Sequence, residues 1–299
     1  MLIDKLARFI RKPAEQKRIT VRFFARKAVA VIPYVPVPTK LHISSGEDIR
    51  FWWSYVPLSE NPHRPFLDYP GEDCGELRFL WKFLRPGMVF FDIGAYHGVF
   101  SLLAAKKLSS RGQVVAFEPS HRERRRFELH MRLNSIRGVR LEPYAMSAAT
   151  GHLKFYTVTS GFTTMNSLRK PETDYPIRET DVDTVSLDEY VLQYQITQID
   201  LIKIDVEGGE LEAFRGANRV LGTVRPIIIC EVLDWVTRPW SYPAREIVQA
   251  LRARDYEWFD FRDDGTILPH LQRDEYPEIR NYLAVPREKL SLVEDSRQA

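Results

Sequence analysis

The sequence predicts an α/β fold built on an open, doubly wound sheet of mostly parallel strands. An apolar run that ends at Phe91 indicates a buried strand, and it stops at a glycine-containing turn, residues 92–98. A helical pattern begins near Val99, and a second apolar strand, residues 114–117, ends at Glu118. This order is the layout of a nucleoside-binding α/β crossover: a strand, a glycine turn, a helix, a second strand and an acid.

Two further apolar runs repeat the pattern of a strand that ends at an acid. Residues 201–204 lead into Asp205, and residues 226–230 lead into Glu231. Ligands of open α/β sheets bind outside the carboxyl ends of the strands. Each of these acids alone could be a solvated turn residue. Because four strands each end at an acid, we expect the four acids to lie along one rim of the sheet: Asp92, Glu118, Asp205 and Glu231.

The glycine turn helps to choose between nucleoside cofactors. Dinucleotide folds usually carry Gly-x-Gly-x-x-Gly, because a pyrophosphate presses onto the helix start. Here three residues separate Gly94 from Gly98, and Asp92 already stands at the strand end. A carboxylate there would repel a pyrophosphate but suits the cationic amino group of a methionine moiety, while Glu118 is placed to accept hydrogen bonds from ribose hydroxyls. The arrangement favours S-adenosylmethionine over a nicotinamide cofactor, and a purely structural turn is the third alternative.

Composition limits the classes of protein that the chain can be. Its 299 residues, 44% of them hydrophobic, suffice for one large α/β domain with additions. The two cysteines, Cys74 and Cys230, form no zinc-type spacing, so no metal is expected and a reducing cytoplasm is favoured. We expect neither a membrane span nor a signal peptide. The basic run 122–126 contains Glu123, which favours a solvated helix face over nucleic-acid binding.

The N-terminal part differs from the rest in charge and pattern. Residues 1–40 carry ten Lys and Arg against two acids, whereas the whole chain has a net charge of +3. We predict a helical and aromatic-rich extension over 1–70, before the cofactor-binding domain, 71–299. Its basic amphipathic helices can lie on an anionic membrane surface. Packing on the domain, or on a second copy in a homodimer, is the alternative that we favour.

Shorter segments also have predicted structure. Alternation around 42–51 predicts a hairpin, and a helix over 72–83 leads into the first strand of the sheet. The loop 160–167, of small polar residues, is expected to lie over the methyl-donor site. The stretch 169–180, which contains two prolines, is predicted to be mobile.

Several blocks of the chain resemble the FkbM-type methyltransferases. They lie within about residues 70–287: 91–98, 117–120, 133–134, 145–151, 185–188 and 204–210. The block 204–210, Ile-Asp-Val-Glu-Gly-Gly-Glu, is the most specific, and one departure is Tyr96-His97-Gly98, where the family often has Asn-x-Gly. The resemblance implies a class I methyltransferase fold, a Rossmann-like sheet of seven strands whose last strand, residues 281–286, is antiparallel. It also implies S-adenosylmethionine and methylation of oxygen on sugars, polyketides or related metabolites.

The strand ends and the glycine turn supply the candidate site residues. Asp205 and Glu207 are the catalytic candidates, because they follow the strand next to the nucleotide-binding one and an alcohol nucleophile benefits from a base. Asp205 can instead stabilise the sulfonium, and Glu207 can be a helix-start acid. There are two lesser alternatives. One is a Mg²⁺ ion held by Asp205, Glu207 and Glu231, and the other is His97 as the base. Cofactor binding is assigned to Asp92, Gly94, Ala95, Tyr96, Gly98, Glu118, Ala145 and Asp205.

Overall fold

The computed structural model describes residues 36–42, 48–54, 74–159 and 164–297. The predicted amphipathic helices over 1–32 lie outside the described residues. The described strands are β1 (Pro36–His42), β2 (Asp48–Ser54), β3 (Val89–Ile93), β4 (Gln113–Phe117), β5 (Val139–Glu142), β6 (Ala145–Met146), β7 (Gly151–Val158), β8 (Ile177–Val185), β9 (Leu201–Ile204), β10 (Ile227–Glu231), β11 (Tyr256–Phe261), β12 (Ile267–Pro269) and β13 (Asn281–Pro286). The α-helices are α1 (Gly75–Phe83), α2 (Val99–Leu108), α3 (His121–Leu133), α4 (Leu187–Gln193), α5 (Glu210–Arg215), α6 (Asp234–Thr237) and α7 (Arg245–Arg252).

The main sheet has eight strands in the order β12-β11-β13-β10-β9-β3-β4-β5. The strands from β10 to β5 run parallel, and β13 is antiparallel to both of its neighbours, β10 and β11. The predicted sheet with an antiparallel last strand is therefore confirmed. The eighth strand, β12, was not predicted, although Asp264-Gly265 ahead of it is a known hairpin signal. Among the described residues, no helix is long and apolar enough to cross a membrane.

Two smaller sheets accompany the main one. The predicted hairpin around 42–51 is confirmed, with β1 antiparallel to β2 over the whole of both strands. A three-stranded sheet has the order β6-β8-β7. The prediction of a mobile stretch over 169–180 was wrong for its last four residues, since 177–180 pair with the end of β7. Salt bridges from Lys154 to Asp181 and Glu179, at 3.0 and 3.4 Å, cross between these two strands.

The core lies on both faces of the main sheet. Phe90 belongs to one apolar cluster and Phe91 to the other, and both are fully buried. Parallel strands that are covered on both faces are near-continuous apolar runs, which explains the pattern of β3. The rings of Phe91 and Phe117 both meet Tyr190 of α4 edge to face. This double layer holds the carboxyl ends of β3, β4, β9 and β10 along one edge.

Candidate active site

A cavity of about 680 Å³ opens at the carboxyl ends of the central parallel strands. Three of the four predicted rim acids line it: Glu118, Asp205 and Glu231. Other predicted residues on its wall are Gly94, Tyr96, Ala145 and Glu207. The volume falls in the range of pockets that bind small molecules and cofactors. The site therefore lies where strand ends place ligands in open α/β sheets.

The Gly94 turn joins three strands at one point. The amides of Gly94 and Ala95 donate to the carbonyl oxygen of Phe117, at 3.0 and 2.9 Å. Gly94 has a φ of +78°, and a Cβ there would overlap the backbone carbonyl of Asp205. The turn continues at Tyr96, which has a φ of +48°. Because backbone passes so close to backbone, the first residue of the turn must be glycine.

Glu118 is fixed at the wall by two backbone donors. Its Oε2 accepts from the amide of Tyr96 at 2.9 Å, and its Oε1 accepts from the amide of Ser120 at 2.7 Å. The residue is only 5% exposed. Burial raises the pKa of the Glu118 carboxyl to about 7, even though both hydrogen bonds favour the ionised form. The result is an oriented carboxyl group that titrates close to neutral pH.

Asp92 does not line the cavity in the described part of the chain. It is 1% exposed, and its Oδ2 accepts from the Ser101 hydroxyl at 2.6 Å and from the Ser101 amide at 3.1 Å. These bonds tie the end of β3 to the first turn of α2. The predicted contact with a ligand amino group therefore stays a prediction, and the observed role of Asp92 is structural.

Lys203 was missed by the sequence analysis, although it interrupts the apolar β9. It is 2% exposed, and its Nζ lies 3.2 Å from Asp205 Oδ2 and 3.3 Å from the carbonyl oxygen of Gly94. Burial disfavours the ammonium, but the carboxylates of Asp205 and Asp92 outweigh it and raise the pKa of Lys203. This buried cation sets the position of Asp205 beside the Gly94 turn.

Removing this cation is expected to destabilise the protein. Lys203→Met removes the cation that pairs with Asp205 at 3.2 Å and whose charge also acts on the buried Asp92, and breaking a buried ion pair in this way costs about 3–5 kcal/mol. The free energy of unfolding from urea denaturation measures the effect. The double variant Lys203→Met/Asp92→Asn should recover part of the loss, whereas the exposed Lys154→Met should change little. A loss in Lys203→Met no larger than that in Lys154→Met would contradict this assignment.

Glu207 occupies a backbone conformation that is rare outside glycine. Its φ is +55°, and Gly208 follows with a φ of +91°. Two side chains donate to the carbonyl oxygen of Glu207, Ser167 Oγ at 2.9 Å and Trp240 Nε1 at 3.1 Å. The Tyr242 hydroxyl donates to the carbonyl oxygen of Gly208. Strained residues that surrounding contacts hold in place concentrate at functional sites.

The next acid, Glu210, takes the structural role that was one alternative for Glu207. Glu210 is fully buried at the first residue of α5, and its Oε1 accepts from the amide of Val206 at 2.9 Å. Glu207 precedes the helix by three residues, and it lines the cavity. Burial, then Asp205 and Glu210, raise the pKa of Glu207. A carboxyl of raised pKa in a cavity is a candidate proton acceptor.

The structure places His97 away from the cavity. His97 is 1% exposed and does not line the cavity, and its Nε2 lies 2.7 Å from Glu123 Oε2 on α3. Burial lowers the pKa of His97 to about 4. In the described part of the chain, no group of three or more His, Cys, Asp or Glu residues is arranged to hold a metal ion. The contacts of His97 with Glu123 and His130 therefore link the turn before α2 to α3.

Gly98 also acts away from the cavity wall. Its φ is +84°, and a Cβ there would overlap the ring of Phe127. The glycine lets the start of α2 approach α3.

The end of the predicted covering loop does reach the site, since Thr164, Met165 and Asn166 line the cavity. Other wall residues had no clear signal in the sequence: Cys74, Leu77, Tyr144, Trp235, Trp240 and Asn281.

The sheet and the site together define the chain as a class I, methyltransferase-type α/β protein. A sequence model described as "Methyltransferase FkbM domain" matches residues 92–258, more than half of the chain. The protein belongs to the FkbM methyltransferase domain family. The resemblance drawn from the sequence blocks is thereby confirmed.

Individual relatives are more distant. "Methyltransferase 1" of Beauveria bassiana (strain ARSEF 2860) is 26% identical over an alignment of 159 residues, and the match covers 48% of this chain and 64% of that protein. Methyltransferase FkbM from Methylobacillus flagellatus KT shares 16% identity and a TM-score of 0.43 over 68% of this chain and 45% of that chain. The O-methyltransferase TomG from Streptomyces achromogenes, solved with SAM, shares 14% identity and a TM-score of 0.38 over 71% and 78% of the two chains. The chain thus spans less than two thirds of the first two proteins.

Proposed function

We propose that the protein transfers a methyl group from S-adenosylmethionine to a hydroxyl oxygen of a sugar, glycan or small metabolite. The observation that carries this proposal is the Glu118 carboxyl, which two backbone amides hold at the wall of the cavity beside the Gly94 turn. A carboxylate at the end of the second crossover strand is suited to pair with ribose hydroxyls.

The residues present fit the cofactor. Along the sheet edge, strand order places Glu118 in the middle, Ala145 on the side of β5, and Asp205 on the side of β9. Glu118 would hold the ribose, the backbone around Gly94 would face the methionine part, and Tyr144 to Met146 would border the base. Ala145 is 5% exposed, so its small side chain leaves the wall flat at that point.

The chemistry needs an electrophile and a proton acceptor. Bound S-adenosylmethionine would supply a methyl carbon whose bond to sulfur breaks as a bond to the acceptor oxygen forms, which releases S-adenosylhomocysteine and the hydroxyl proton. The chain's own residues position the acceptor and take up that proton. Glu207 is the proposed base, and Asp205, held by Lys203, orients the acceptor or cofactor.

Glu207→Gln tests the assignment of the base. Losing a general base typically costs about 10²–10⁴-fold in rate, so kcat should fall in that range while S-adenosylhomocysteine binds as before. Because the pKa of Glu207 is raised, the wild-type rate should rise with pH as this group loses its proton. The variant should lose that rise. Unchanged kcat with an unchanged pH profile would contradict the role, and the exposed Glu246→Gln is the control.

The choice of cofactor is tested by calorimetric titration. Micromolar binding of S-adenosylhomocysteine would support the proposal, and it should be lost in Glu118→Ala. Binding of NADH or NADPH without S-adenosylhomocysteine would instead favour the nicotinamide-dependent reductase. Binding of S-adenosylhomocysteine without turnover of any hydroxylated acceptor would favour a non-catalytic nucleoside-binding module.

A further inference from the structure

The cavity wall carries charge of one sign only within the described residues. Its ionisable acids are Glu118, Asp205, Glu207 and Glu231, and no Lys, Arg or His side chain of the described chain lines it. Lys203 lies below the wall against Asp205, and Arg169 stacks outside the wall on Trp240. An acceptor that bears a phosphate, sulfate or carboxylate would meet repulsion and no counter-charge.

A buried carboxyl oxygen of the cavity wall indicates which chemical group of the methyl acceptor binds there. Glu231 is 7% exposed and lines the cavity, and its Oε2 has no hydrogen-bond partner among the described residues. Asn281 pairs with Glu231 across β10 and β13 and also lines the cavity, and no described residue bonds to its Oδ1. Leaving two buried hydrogen-bond acceptor oxygens without donors costs free energy, and a ligand rich in hydrogen-bond donors would satisfy them.

The charges around Glu231 select among donor-rich ligands. The groups that act on it are Asp205, Glu207 and Glu210, with Lys203 as the counter-charge. Burial and the three acids raise the pKa of Glu231. A hydroxyl brings lone pairs of its own, whereas an ammonium is a pure donor of three hydrogen bonds and relieves the repulsion among the acids. Trp235 also lines the cavity, and tryptophan rings attract cations.

The register of the strands places this subsite relative to the reaction. Ile204 pairs with Cys230, so the residues that follow, Asp205 and Glu231, end adjacent parallel strands. Neighbouring strands lie about 4.8 Å apart. A group bound at Glu231 is therefore close enough to a hydroxyl bound at Asp205 for one small ring to carry both groups.

We infer that the acceptor carries a protonated amine close to the methylated hydroxyl, and that Glu231 and Asn281 bind this amine, a conclusion that rests on the proposed function. The acceptor class is then an amino alcohol, as in an amino sugar. Glu231 selects the substrate, while Glu207 takes up the proton. Neutral polyols bind more weakly, and anionic sugars are excluded.

Three ring compounds that differ in one substituent test the inference. The probes are trans-2-aminocyclohexanol, trans-cyclohexane-1,2-diol and trans-2-hydroxycyclohexanecarboxylate, titrated by calorimetry with and without saturating S-adenosylhomocysteine. A charge-assisted hydrogen bond should make the amino alcohol bind about tenfold or more tightly than the diol, with the carboxylate weakest. Glu231→Gln should remove this preference, and Glu246→Gln, an equal charge change on the exposed face of α7, should keep it.

The order of affinities for the three probes supports or overturns the inference. Equal binding of the three probes, preference for the carboxylate, or no binding of the amino alcohol up to its solubility limit would overturn it. The wild-type ranking distinguishes these results even if Glu231→Gln fails to fold. Failure of S-adenosylhomocysteine to bind would instead count against the proposed function, and the ranking without it still reports the charge preference of the cavity.

Discussion

Replacing Glu118 by glutamine is expected to weaken S-adenosylhomocysteine binding by about 10²-fold, because hydrogen bonds to a charged acceptor contribute roughly 1.5–3 kcal/mol each. The substitution keeps the shape of the side chain and removes its charge. An amide also offers one acceptor oxygen where the carboxyl now accepts from both the Tyr96 and the Ser120 amides. Glu118→Ala removes both acceptors and should weaken binding further. Calorimetric dissociation constants at pH 8 measure both effects.

The pH dependence of binding separates the charge of Glu118 from its shape. Burial raises the pKa of Glu118 to about 7 in the free protein. Ribose hydroxyls pair better with the ionised form, so binding lowers this pKa. Affinity should therefore be constant above about pH 7 and fall as the pH drops below it. Glu118→Gln should show no such fall.

A matched control guards against a general effect of removing an acid. Glu128 lies on α3 with half of its side chain exposed, and it does not line the cavity. Glu128→Gln should bind S-adenosylhomocysteine as the wild type does. If Glu118→Gln bound equally well and with the same pH profile, Glu118 would not be the ribose ligand.

Much of the sheet could be predicted because its signals are local. The strands β3, β4, β9 and β10 are apolar runs that end at acids, and their order along the chain matches a doubly wound sheet. The edge strand β12 depends on a hairpin turn at Asp264-Gly265, a signal that is present but short. Residues 177–180 have few apolar residues, and only their pairing with β7 makes them a strand.

The site was predicted in part, and the differences have one physical cause. Sequence position shows that a residue follows a strand, but not whether its side chain turns into the cavity or beneath it. Asp92 lies near the end of β3 and Glu118 directly follows β4, yet Asp92 bonds to Ser101 of α2 while Glu118 lines the cavity wall. Lys203 looks like a polar interruption of β9 until its two acid neighbours are placed beside it in space.

The strained turn at Glu207 could not be predicted for a related reason. A positive φ at a non-glycine residue depends on distant partners, here Ser167 and Trp240. These residues are 40 and 33 positions away along the chain. Only the glycines at 208 and 209 marked the place in the sequence. These two hydrogen bonds hold the backbone in the conformation in which Glu207, rather than Glu210, lines the cavity.

Gly94→Ala is expected to have the largest effect on stability and binding together. A residue with a side chain at a φ of +78° costs about 1–2 kcal/mol in backbone strain. The new Cβ would also overlap the carbonyl of Asp205, and forcing atoms into packed space costs about 1–3 kcal/mol more. Relief requires the end of β9 to move away from β3, which displaces Asp205 from Lys203 and opens the turn beside Glu118.

Gly87→Ala is the matched control for this variant. Gly87 has a φ of +97°, but a Cβ there would have no atom of the described residues within 4 Å, so this substitution adds the strain without the overlap. Gly94→Ala should therefore lose about 2–5 kcal/mol of unfolding free energy and all measurable S-adenosylhomocysteine binding. Gly87→Ala should lose about 1–2 kcal/mol and bind normally. Equal losses of stability with binding retained in both would show that the close approach at Gly94 does not organise the site.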